Sequence, residues 1–112
     1  MSSPRTTKIE ITVELDEERM PTKISLEGSD FEEAQLAKGM LLSIFDRERR
    51  DTLKIDLWTK EMQVAEMDRF MFQTLRGLAD TYNNSTNNSQ LAGALRQFVD
   101  YFGQETEIIP KG

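Results

Sequence analysis

The sequence predicts an α+β domain with element order ββαβαα: a small antiparallel or mixed three-stranded sheet with helices packed on one face. Two patterns lead there. Ile9, Ile11, Val13 and Leu15 alternate with Lys8, Glu10, Thr12 and Glu14, and Leu53, Ile55 and Leu57 alternate with Lys54, Asp56 and Trp58. Period two marks a strand with one buried and one wet face. Elsewhere apolar residues recur at helical spacing.

The elements follow in order. Residues 1–7 are polar, contain Pro4 and read as a disordered N-terminus. The strand 9–15 meets a polar turn, Asp16 to Pro21, and Ile24 and Leu26 continue the alternation, which gives a hairpin. Ser29 and Glu32 have capping-box spacing, so a first helix is expected with Ala34, Ala37, Met40, Leu41, Ile44 and Phe45 on its inner stripe. Asp46–Thr52 is a charged turn into the third strand. A right-handed crossover would then place that strand beside the first, in spatial order 2-1-3. The second helix opens at Gln63, with Val64, Met67, Met71, Leu75, Leu78 and Tyr82 as its core stripe. Phe70 and Phe72 are two apart, so one ring should leave that stripe, either onto the third helix or into solvent. Asn83–Asn88 reads as a connector, because asparagine and serine side chains compete for backbone hydrogen bonds. The third helix carries Leu91, Leu95, Phe98 and Phe102, with Gly103 as its stop. Residues 8–106 thus read as a single domain and 107–112 as a flexible tail.

Composition narrows the function. The chain has 112 residues, 38% apolar and 30% charged, with a net charge of −6. That suits one globular core and disfavours a nucleic-acid backbone as partner. Cysteine is absent, which favours a reducing compartment. The first residues lack the apolar stretch of a signal peptide, and no apolar run is long enough to span a bilayer. The expectation is a soluble cytoplasmic protein.

Catalytic signals are weak. There is no histidine to serve as base for a serine or to ligate zinc. The acidic cluster Glu14, Asp16, Glu17 and Glu18 lacks the rhythm of a calcium loop and reads as a charged hairpin turn. An enzyme built on buried carboxylates would need a cleft with perturbed acids, whereas these lie on polar faces. No enzyme, cofactor or metal is expected.

What remains is the lone tryptophan. Alternation puts Lys54, Asp56 and Trp58 on the outward face of the third strand, with Lys60 following. Either the strand ends before Trp58 and the ring caps a small core over Met62 or the hairpin, or Trp58 anchors a partner flanked by Lys54, Asp56 and Lys60. An exposed edge on a three-stranded sheet also invites a homodimer.

The runs Met40–Asp46, Thr52–Lys54 and Ile55-Asp56-Leu57-Trp58-Thr59-Lys60-Glu61-Met62 resemble the gliding motility protein GldC family of Bacteroidota. Glu66-Met67, Gln73-Thr74-Leu75 and Ala79-Asp80-Thr81 continue the likeness, which covers residues 8–106. The resemblance implies an accessory role in gliding motility for a small soluble cytoplasmic protein; with the outward Trp58 it leads to the expectation of a non-enzymatic cytoplasmic protein-interaction module. It brings no catalytic residues. The alternative is a small acidic secretion-type chaperone that binds an exported polypeptide and would need an apolar groove on its dimer.

Overall fold

The structure is a computed structural model and describes residues 4–111. The α+β class holds: the described residues form five strands followed by two helices. Residues 1–3 of the predicted disordered terminus lie outside the described residues. Two compact units divide at Met62 and Gln63, within the span read as one domain.

The first unit is made of strands. β1 (Ile9–Leu15), β2 (Pro21–Gly28) and β3 (Gln35–Ala37) form one antiparallel sheet in that order. β4 (Gly39–Phe45) and β5 (Thr52–Trp58) form a second, two-stranded one. β1 and β2 pair as the alternation requires, with Ile11 opposite Leu26 and Val13 opposite Ile24. Their turn is organised by Asp16. Its Oδ1 accepts from the backbone N–H of Glu18 and of Met20, both at 2.9 Å, while Arg19 takes a left-handed φ of 66°. The β4–β5 turn repeats the device: Asp46 Oδ2 accepts from Glu48 N at 3.1 Å and Arg49 N at 2.7 Å, with Arg50 left-handed.

The predicted first helix does not form. Its residues 35–37 and 39–45 are β3 and β4, so the order is not ββαβαα; a three-stranded antiparallel sheet is present, but its third strand is β3, and β4 and β5 form a second sheet. β5 pairs with β4 and not with β1, so the 2-1-3 order falls as well. The physical reason is in the run Met40-Leu41-Leu42-Ser43-Ile44-Phe45. A continuous apolar run satisfies both periods, and Asp46–Asp51 favours a hairpin that pairs it with Thr52–Trp58. Ser29, the supposed cap, closes β1 on β2 instead: Lys8 N donates to Ser29 Oγ at 3.2 Å and Ser29 N to Lys8 O at 3.0 Å.

The second unit is a helical hairpin of α1 (Val64–Thr86) and α2 (Ser89–Glu105). Gln63 is the N-cap of α1, and its N–H donates to Glu66 Oε1 at 3.1 Å. The helix runs through most of the expected connector, because Ser85 and Thr86 donate their hydroxyls back to Tyr82 O. Only Asn87 and Asn88 join the helices. Asn87 adopts φ 59°, and the Asn88 side chain caps α2 by accepting from Leu91 N at 3.1 Å.

The seam between the helices differs from the expected stripes. Phe72 and Ala79 are the buried residues of α1, and Ala92, Val99 and Gly103 those of α2. Val64, Leu78, Leu91 and Phe98, assigned to the core by periodicity, are at least half exposed. Gly103 does not stop α2. A Cβ there would stand 2.5 Å from Phe72 Cε1 and 2.9 Å from Ile109 Cγ1, so the glycine makes room for the ring. The chain then folds back: Ile108 N and Ile109 N both donate to Gly103 O, with Glu107 left-handed at φ 62°. The predicted flexible tail therefore begins with an ordered return over 107–109. Of the two phenylalanines, Phe72 packs on the other helix, beneath the Arg76 guanidinium 5.3 Å from its centroid.

Candidate functional site

The β4–β5 hairpin sorts its side chains cleanly. Cross-strand partners are Met40–Leu57, Leu42–Ile55 and Ile44–Leu53 on one face, and Gly39–Trp58, Leu41–Asp56, Ser43–Lys54 and Phe45–Thr52 on the other. The first face is entirely aliphatic. The second carries the residues singled out from the sequence.

Trp58 is the last residue of β5, still paired, and 50% exposed. The strand does not end before it. Its cross-strand partner is Gly39, which leaves the ring without a side chain directly opposite. Lys54 and Asp56 lie on the same face, with Lys54 Nζ at 2.8 Å from both Asp56 oxygens. Both side chains are well exposed, so the pair contributes about 0–1 kcal/mol to stability and is free to trade partners.

Lys60 is not part of that face. It lies beyond the strand, and its ammonium pairs with Asp16 in the β1–β2 turn. That hydrogen bond, with those from the backbone of Met20 and Glu18, holds the Asp16 carboxyl below its ordinary pKa. Lys60 thus ties two loops of the strand unit together.

Sequence reasoning missed Phe45 and Leu41, which share the outward face with Trp58. Phe45 is 67% exposed at the opposite end of the hairpin. Leu41, Ser43 and Phe45 do alternate, but the helical assignment hid this. The outward face is therefore an aromatic at each end with a lysine–aspartate pair between them. Such a face can bind a protein surface. It offers no convergent polar groups, and among the described residues no three acidic side chains are placed to hold a metal ion.

A family model described as gliding motility-associated protein GldC-like matches residues 21–108, which is 88 of the 112 residues. The chain belongs to this GldC-like family. No curated protein and no solved structure matches it. The family match begins at β2 and contains the whole β4–β5 hairpin and both helices, while β1 precedes it. Family membership associates the chain with gliding motility. None of the described helices is long and apolar enough to cross a membrane.

Proposed function

We propose that this GldC-like chain is a non-enzymatic, cytoplasmic protein-interaction module of the gliding system, and that its partner docks on the outward face of β4–β5. The observation that carries the reading is the exposure of Trp58 and Phe45 on one sheet face with Lys54 and Asp56 between them. Exposed aromatics flanked by charges are the composition of interface hot spots, where truncating a tryptophan costs about 2 kcal/mol or more of binding. Lys60 lies outside this face, and its tie to Asp16 joins the segment after β5 to the β1–β2 turn.

The test is genetic and biophysical together. Trp58→Ala and Phe45→Ala are introduced in a gliding bacterium and in the purified protein. Gliding should fall while circular dichroism and hydrodynamic size stay unchanged. Normal gliding in a folded double variant would refute the site.

The chaperone reading is favoured by one observation, the aliphatic face of the same hairpin, where Ile44, Leu53 and Ile55 are 48%, 57% and 39% exposed. It requires that unfolded apolar peptides bind there. Failure of Leu53→Lys to alter binding of such peptides would remove it.

A further inference from the structure

We propose that β5 pairs antiparallel with β5 of a second copy of this chain, about a two-fold axis through Ile55. The resulting dimer carries a continuous β4-β5-β5-β4 sheet. The inference concerns the strand edge and stands independently of the partner proposed for the outward face.

The edge is open. Among the described residues β5 pairs only with β4, and the strand contains no proline, glycine or register shift to blunt it. Its hydrogen-bonding phase can be read from the two ends of the hairpin. Asp46 N donates to Asp51 O at 2.8 Å, and Thr59 N donates to Lys38 O at 2.8 Å. Hydrogen-bonded and non-bonded pairs alternate along an antiparallel ladder. Hence Leu53, Ile55 and Leu57 spend their backbone groups on β4. The N–H and C=O of Thr52, Lys54, Asp56 and Trp58 point out of the open edge.

The sequence of that edge is self-complementary. With the axis at Ile55, Lys54 lies opposite Asp56 of the second copy, and Asp56 opposite its Lys54. Thr52 lies opposite Trp58. On the other face Leu53 meets Leu57 and Ile55 meets itself. In this register the outward-pointing groups of one strand meet those of the other, which allows about eight new backbone hydrogen bonds. The rival registers fail on charge. Centring on Lys54 or on Asp56 sets like charges directly opposite each other, which destabilises a sheet. Lysine on an edge usually guards against pairing; here Asp56 two residues away turns the guard into half of a matched set. The paired charges cancel across the seam, so it adds no repulsion of its own to a chain of net charge −6.

The experiment uses the purified full chain, sized by light scattering and sedimentation. The wild type should run at twice its 12.9 kDa. Asp56→Lys should weaken the dimer about tenfold or more, because two attractive cross-strand pairs become repulsive. The double exchange Lys54→Asp with Asp56→Lys restores complementarity and should return the dimer to near wild-type affinity. Recovery in the double variant also shows that the single variant's loss is not misfolding. Because the natural chain has no cysteine, Ile55→Cys gives a clean readout. Across a non-bonded pair the Cα atoms stand about 4.5 Å apart, within the roughly 4.4–6.8 Å that a disulfide spans. Mild oxidation should cross-link Ile55→Cys and not Thr52→Cys. A monomeric wild type, a double exchange as weak as Asp56→Lys, or cross-linking of both cysteine variants alike would overturn the proposal.

Discussion

In the helical hairpin, the residues shut away from solvent are Phe72, Ala79, Ala92, Val99 and Gly103, spaced as one stripe on each helix. Among the described residues of the strand unit, Ile24 and Pro21 are the hydrophobic side chains so buried, while Ile9, Ile11, Leu15, Leu36, Ile44, Leu53 and Ile55 are exposed. The helical unit buries one stripe on each helix, with the Phe72 ring set against Gly103. The strand unit is held by ladders and by aspartates that organise its turns. A two-stranded hairpin is at best marginally stable alone, so a unit that leaves one face of such a hairpin aliphatic and one edge unpaired has surface to offer a partner. The contrast is the reason to look for function on β4–β5 rather than on the helix seam.

The comparison breaks most visibly at Phe72. Phe72→Ala should destabilise the protein by about 3–5 kcal/mol, read from urea or thermal unfolding. Gly103→Ala comes next. Alanine is the better helix former by about 1 kcal/mol, yet its Cβ would meet both Phe72 and Ile109. Overpacking should win, with a net loss of about 1–3 kcal/mol. If Gly103→Ala were stabilising, the seam would not be the tight contact described. Asn88→Ala removes the side-chain cap of α2 and should cost about 1 kcal/mol. On the strand unit the matching substitution, Trp58→Ala, should change stability by less than about 0.5 kcal/mol while reducing partner binding. A large loss of stability there would make Trp58 a structural residue.

The same contrast explains what could be read in advance. β1, β2 and β5 were legible because their apolar residues alternate with charges, which only a strand can sort onto two faces. β4 was not, because Met40-Leu41-Leu42 and Ile44-Phe45 carry apolar residues on both faces and fit a helix equally well. The seam was hidden for another reason. Hydrophobic periodicity ranks Leu78, Leu91 and Phe98 above Ala79, Ala92 and Gly103, but close helix approach selects small side chains. Lys54, Asp56 and Trp58 were found because they belong to a legible strand. Phe45 and Leu41 were lost with β4. Lys60 was grouped with the site by sequence proximity, and only the turn geometry places it on Asp16.

The smallest expected effect is the dependence on pH. Asp16 is the group concerned. The Lys60 ammonium first, then the N–H groups of Met20 and Glu18, stabilise its charged form and hold its pKa below the ordinary 3.8. A carboxyl with a depressed folded-state pKa adds stability at pH values above its unfolded pKa. That contribution disappears as pH falls through the folded value. The strand unit should therefore loosen in acid below about pH 4. Lys60→Met removes the largest cause, so the variant should be slightly less stable at neutral pH and lose less on acidification. The Glu18 and Met20 hydrogen bonds would keep part of the dependence, since they do not involve Lys60. Amide exchange at Glu18 and Met20, followed across that pH range in both proteins, separates the two contributions. If Lys60→Met left the acid limb unchanged, the ion pair would be an incidental surface contact and the β1–β2 turn would stand on its backbone bonds alone.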